Sequence, residues 1–252
     1  MLKEQLTFFI DLLGFAAESF SAGESKAEEL TKLLKIFASQ RGQYEYQVTE
    51  TIGPVVTVTS IKTRPQASTF SDNIVLSYEL HKKAKDRAKE GLNSDGALLW
   101  TMSSAKSVIS TLACEALKLG LLIRGGATIG PLHHDSDVVF GAAMVEAYHL
   151  ESRVASYPRI VVSRKLYSRF KHPQIHFSKD EDGIMHLKYL PGLLRYHKET
   201  AAGDYEALRK IIRDNVERFE RAEEWNRLSK WAWFDRAFNT AIENFEGNLR
   251  HG

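Results

Sequence analysis

The sequence has one cysteine, Cys114, in 252 residues. An internal disulfide is excluded, and with it the disulfide-stapled secreted scaffolds. Cys114 lies on an apolar helical pattern and reads as a buried thiol, not a reactive one. No apolar run reaches the roughly 20 residues needed to span a bilayer. No leader pattern opens the chain, because Lys3 and Glu4 run into a strand without a small-residue cleavage site. The expected location is the cytoplasm, with no membrane contact. An excess of one charge sign is lacking too: 34 Lys and Arg against 32 Asp and Glu leave +2, which argues against nucleic-acid binding as a general activity. Repeats and low-complexity tracts are absent. Hydrophobic content of 43% and charged content of 26% are ordinary for a globular chain, long enough for one large domain or a domain with a helical appendage.

The stretch Phe9-Ile10-Asp11-Leu12-Leu13-Gly14-Phe15 organises the rest. Thr7–Ile10 reads as a short buried strand that halts at Asp11, and Gly14 permits a tight turn. A carboxylate at the end of a buried strand needs a cation or donor to hold it there. Phe70-Ser71-Asp72-Asn73 has the same character, opening the apolar run Ile74-Val75-Leu76. Two such acids on neighbouring strands can hold divalent ions beside a triphosphate.

In chain order, Ser25–Gln40 reads as a helix with Leu30, Leu33, Leu34 and Phe37 on its apolar face. Tyr44–Thr63 reads as strand, broken or bulged at Gly53-Pro54, and Thr69–Glu79 as a strand that pairs with it. His81–Asp95 is a charged, solvated extension. Ala97–Leu119 carries Leu98, Met102, Ala105, Ile109, Leu112 and Ala116 at helical spacing, and Gly120 supplies the stop. Leu121–Gly130 is a glycine-bearing strand, Gly141–Ala155 a helix, Arg159–Ser163 a strand and Lys165–Phe170 a helical turn. Asp180-Glu181-Asp182-Gly183 marks a hairpin. From Gly203 onward the pattern becomes charged helices bearing aromatics. The order β-α-β-β-α-β is that of a ferredoxin-like α+β sheet with additions.

At these positions the chain resembles the class III nucleotidyl cyclase family, over roughly residues 5–165. The family's Phe-x-Asp-Ile-x-Gly-Phe stretch is matched at Phe9–Phe15, its second metal Asp at Asp72, and its Gly-x-x-x-Gly strand at Gly126–Gly130. Its helix, opening after a Gly and ending in an Arg-Leu-Glu-like element, is matched from Gly141 to Leu150-Glu151-Ser152. The resemblance implies a catalytic domain over 1–200 and a helical extension over 201–252, packed on the core or the dimer. It implies two Mn²⁺ or Mg²⁺ ions per site on Asp11, Asp72 and the Leu12 backbone, with triphosphate held at Leu13, Gly14 and Phe15. The family's purine-reading Lys and Asp fall on Ser68 and Val138, and its transition-state Asn and Arg on Val145 and His149, with Arg153 one turn beyond. These departures resemble the pyrimidine cyclases of the bacterial Pycsar anti-phage system. That likeness implies a homodimer with composite sites, which makes cyclic UMP, or else cyclic CMP, from UTP or CTP for a separate effector. Two alternatives stay open: a purine cyclase, and a non-catalytic nucleotide sensor of the same fold.

Three further features have competing readings. His133-His134-Asp135 reads as an exposed β-loop in preference to a metal cluster. Arg124 reads equally as a phosphate contact or a sheet-edge cation. The tail tryptophans read as packing residues, not base-stacking platforms.

Overall fold

The computed structural model describes residues 1–21, 23–38, 44–52, 55–63, 65–80, 94–200 and 205–250. The fold is α+β, built on an eight-stranded, mostly antiparallel sheet. Strand β1 (Lys3–Leu13) is central, with β5 (Asn73–Glu79) antiparallel on one side and β6 (Leu122–His134) antiparallel on the other. Strand β4 (Pro65–Phe70) closes the edge beside β5. Beyond β6 lie β8 (Ile160–Val162), the one parallel neighbour, then β10 (Met185–Leu187) and β9 (Phe177–Lys179), while the two-residue β7 (Val139–Phe140) pairs with the end of β6. The path β4-β5-β1-β6 is the ferredoxin-like order, with two helical crossovers linking β1 to β4 and β5 to β6.

Helices α1 (Phe15–Ser21), α2 (Glu24–Ala38) and α3 (Ser94–Lys118) make those crossovers. The apolar positions read from the sequence carry the packing: Leu30, Leu33, Leu98, Met102, Ala105, Ile109, Leu112 and Ala116 are buried against Leu6, Phe8, Ile10 and Leu12 of β1. The side chain of Phe37 lies outside the described residues. Cys114 is buried as expected, and burial pushes its thiol up to about 11.

Helix α4 (Ala142–Arg153) covers the opposite sheet face. Gly126 makes this possible: a Cβ there would sit 2.1 Å from the Ala147 carbonyl oxygen and 2.7 Å from Leu150 Cβ, so any larger residue would push the helix off the sheet. A small second core of Phe9, Val75 and Ala147 forms beneath it. The short α5 (Arg164–Tyr167) is capped by the Ser163 hydroxyl, which accepts from the Leu166 amide.

Three more helices follow among the described residues: α6 (Leu190–Thr200), α7 (Glu206–Arg221) and α8 (Trp225–Arg250). Phe219, Trp231, Phe234 and Phe238 are buried in the same core as α3. Each such side chain contributes roughly 1.5–3 kcal/mol by leaving water. Helix α8 is also tied down by polar contacts. Trp233 Nε1 donates to Asp180 Oδ2 at 3.1 Å, and that carboxylate accepts from the buried Arg159 at 2.5 Å. Arg159 pairs with Asp182 as well and lies over Tyr157, which stacks on Trp233.

The structure departs from the sequence reading in several places. Strand β1 does not halt at Asp11, because Leu12 and Leu13 find partners in Ile123 and Leu122 of β6. The strand over 69–79 does not pair with the one before it. Instead β2 (Tyr44–Ile52) and β3 (Val55–Thr63) pair with each other as a separate two-stranded sheet, and β5 pairs with β4 across a turn at Ser71-Asp72. Pro65 opens β4, an edge strand, where a missing N–H costs no ladder bond. The charged extension lies outside the described residues up to 93, and Ser94 and Asp95 already belong to α3. Trp225 is not packed with its neighbours but is 62% exposed. His134 is not in an exposed loop: it is buried at the end of β6, between the hydroxyls of Ser68 (2.9 Å) and Ser77 (2.8 Å).

Candidate functional site

The register of the central strands builds the site. Asp11 lies opposite Asn73 on β5 and opposite Arg124 on β6, so all three side chains share one sheet face. Asp72 occupies the β4–β5 turn next to Asn73, and its backbone carbonyl accepts from the Leu12 amide at 3.0 Å. The two acids therefore come from adjacent strand ends. Gly14, at φ +95°, turns the chain from β1 into α1, which places the loop beside them.

Arg124 is the hub. Its guanidinium donates to Asp11 Oδ2 at 3.0 Å and lies 2.6 Å from Glu151 Oε1. Glu151, buried on α4, reaches it because that helix sits so close over Gly126. Arg124 is thus not a sheet-edge cation; it lies inside a central strand, already engaged by two carboxylates. Burial raises the Asp11 carboxyl above its usual range, Arg124 and Lys230 oppose that, and Asp72 adds to it. Glu151 is raised in the same way, first by burial, then by Asp11 and Asp72, against Arg124. Two carboxylates meet one guanidinium, and Asp72 is close enough to act on both acids in the same direction as burial.

These groups open into a cleft of about 210 Å³. Asp11, Asp72 and the loop Leu12–Glu18 form one side, and Arg218, Phe219, Arg227, Lys230 and Trp231 of α7 and α8 form the other. Among the described residues, Asp11 Oδ1 takes no hydrogen bond, and Asp72 accepts only on Oδ1, from Asn73 at 2.9 Å. Each acid therefore keeps an oxygen for a cation. No three His, Cys, Asp or Glu side chains are grouped to hold a metal by themselves among the described residues. Mg²⁺ does not require such a group, since it is usually held by one or two carboxylates together with water and substrate phosphates. The donor set fits a divalent cation that arrives with a polyphosphate.

Of the residues singled out from the sequence, Asp11, Leu12, Leu13, Gly14, Phe15 and Asp72 come together in this cleft. Ser68, Val138, His149 and Arg153 do not line it. Ser68 faces His134, and Val138 is exposed in a turn where its amide donates to Asp135 Oδ1 at 2.9 Å. His149 is half-buried beside Tyr148, and Arg153 is exposed at the end of α4. Glu151 and Lys230 were missed as site residues. Alternation along β6 was the available signal for Arg124, and helical spacing of Arg227, Lys230 and Trp231 the signal for the tail.

No family model matches this sequence, and no curated protein matches it. Among solved structures the chain is similar to the crystal structure of the catalytic core of a rhodopsin-guanylyl cyclase with converted specificity in complex with ATPαS. The TM-score is 0.39 and the identity 17%, over 73% of this chain and 93% of that one.

Proposed function

We propose that this chain is a pyrimidine nucleotide cyclase, converting UTP in preference to CTP into the 3′,5′-cyclic monophosphate and pyrophosphate. The observation that carries the reading is the meeting of Asp11 and Asp72 in one cleft beside the Leu13-Gly14-Phe15 turn, each with an oxygen left for a cation. In the reaction the ribose 3′-oxygen forms a bond to the α-phosphorus. The bond from that phosphorus to the bridging oxygen breaks, pyrophosphate leaves with the electron pair, and the hydroxyl proton passes to solvent. Asp11, Asp72 and the Leu12 carbonyl would hold two Mg²⁺ or Mn²⁺ ions, which supply a lowered hydroxyl pKa and charge neutralisation when bound. The chain's own task is positioning: the loop amides orient the phosphates, and Arg124 with Glu151 fixes the Asp11 side chain.

The base side is read from a different surface. Ser68 and Val138 offer no charged donor–acceptor pair, so a purine would leave polar edges unmatched. Phe70, Val138, Phe140, Val145 and Tyr148 are exposed there, Phe70 by 82%. Such an apolar area supports a homodimer in which His149 and Arg153 of one copy face the acid pair of the other. The product would act on a separate effector. Incubation with ATP, GTP, CTP and UTP in Mn²⁺, followed by mass spectrometry, tests this reading. Cyclic UMP or cyclic CMP is expected; only cyclic AMP or cyclic GMP would overturn the base assignment, and no cyclic product at all would overturn the cyclase.

A further inference from the structure

The tail lines the acid cleft with three cations, Arg218, Arg227 and Lys230. Most charged residues on α7 and α8 have local partners: Arg209 pairs with Glu206, Lys210 with Asp214, and Arg221 with Glu217. Lys230 has none. One turn away in either direction stand Asn226, Arg227, Trp233 and Phe234, so no acid is within helical reach. Among the described residues it forms no ion pair, yet it is half-buried in the cleft wall. Burial lowers its pKa, with Arg124 and Arg227 acting the same way and Asp11 opposing. Arg218 and Arg227 lie over the Phe219 ring, at 5.2 and 5.5 Å from its centroid. The Arg227 guanidinium is braced by Glu224 at 2.9 Å, while Arg218 has only a 3.9 Å contact with Glu18. The cleft thus takes Asp11 and Asp72 from strand ends, Glu18 from α1 and its cations from the tail. A ligand that suits both carries metal and phosphate together.

We infer that the C-terminal helices supply the polyphosphate-binding wall of this cleft. Lys230, with Arg227 and Arg218, takes the outer phosphates of a nucleoside triphosphate whose metal-bearing side faces Asp11 and Asp72 of the same chain. The inference rests on the reading of the cleft as a nucleoside-triphosphate site and deepens it by assigning the phosphate ligands to a segment outside the sheet. It also makes the tail a working part of each site, where a packing role alone would leave Lys230 unused.

The test is calorimetric titration of the full chain with inorganic tripolyphosphate in Mg²⁺. Wild type is expected to bind. Lys230→Met keeps the stem and loses the charge, and it should weaken binding about tenfold or more. Arg227→Met, at an exposed position and with an apolar stem kept beside the Phe219 ring, should weaken it by a smaller factor. Arg213→Ala, on α7 but outside the cleft, should bind as wild type does. Wild-type affinity in both Lys230→Met and Arg227→Met, with helical content preserved by circular dichroism, would overturn the inference; so would the absence of tripolyphosphate binding by wild type at millimolar concentration. The two readings separate cleanly. Tripolyphosphate binding that depends on Lys230, in a protein making no cyclic nucleotide, leaves the tail site standing and removes the cyclase. Cyclic nucleotide made by Lys230→Met with unchanged kcat and KM does the reverse.

Discussion

The acid cleft and the exposed face of α4 and β7 are built in opposite ways. The cleft is concave and gathers Asp11, Asp72 and Lys230 from distant parts of the chain, with Arg124 and Glu151 holding Asp11 from behind. The other displays Phe70, Val138, Phe140, Val145 and Tyr148 to solvent. The lining of the first comes from one chain. The second is the surface on which the proposed homodimer rests. The proposed division, with metal chemistry in one subunit and base recognition across an interface, draws on this contrast in burial.

The sharpest way to break the comparison is at the acids. Asp72→Asn is expected to lower cyclic-nucleotide formation by about a thousandfold while the melting temperature stays within a few degrees, because a half-exposed ligand is lost and no core volume. Mass spectrometry and a thermal scan read both; near-wild-type turnover would contradict the role.

An acid-induced loss of activity must next be separated from global unfolding. His176 is buried, neither ring nitrogen has a hydrogen-bond partner, and burial, with Lys106 adding, pushes its pKa down to about 4. The unfolded chain takes up that proton more readily. Stability is therefore full above about pH 6.5 and falls as pH drops toward about 4, by about 3 kcal/mol at most. Urea midpoints at pH 7 and pH 4.5 should show this decline, and His176→Phe should flatten it. An identical acid decline in that variant would mean another group is responsible.

The exposed face gives the third test. Tyr148 presents its ring on α4, edge-on to Phe9 at 5.4 Å. Tyr148→Glu is expected to cost about 2 kcal/mol of self-association and to shift sedimentation toward monomer, while tripolyphosphate binding in the cleft persists. A dimer unaffected by this charge would place the interface elsewhere. The smallest effect is at Trp225: its replacement by Ala should change stability by less than about 0.5 kcal/mol, since the ring is mostly in water. A larger loss by chemical denaturation would mean that it covers something.

Much of the frame was legible before any coordinates. The helical period of α3, the turn at Gly14 and the β9–β10 hairpin at Asp180–Gly183 each follow from local rules of pattern and turn chemistry. What was not legible required contact between distant segments. Nothing local says that Arg124 meets both Asp11 and Glu151, 113 and 27 residues away, because a cation on a strand reads the same whether paired or free. His134 looked exposed because two adjacent histidines and an aspartate read as loop, yet strand alternation puts His133 outside and His134 inward between two serines. The strand pairing failed at Pro65, where an edge position tolerates what a central strand would not. Lys230 lay beyond reach because the tail's orientation is decided by Trp231, Phe234 and Phe238 finding the core.

Subunit complementation tests the division most directly. Asp72→Ala chains carry an intact His149–Arg153 face, and a His149→Ala/Arg153→Ala double variant carries an intact cleft. Mixed at equal concentration and allowed to exchange, half the dimers are expected to be heterodimers with one of two sites whole, restoring about one quarter of wild-type activity. Heterodimers demonstrated by native mass spectrometry, with activity no higher than that of the two inactive parents, would contradict a site shared between copies.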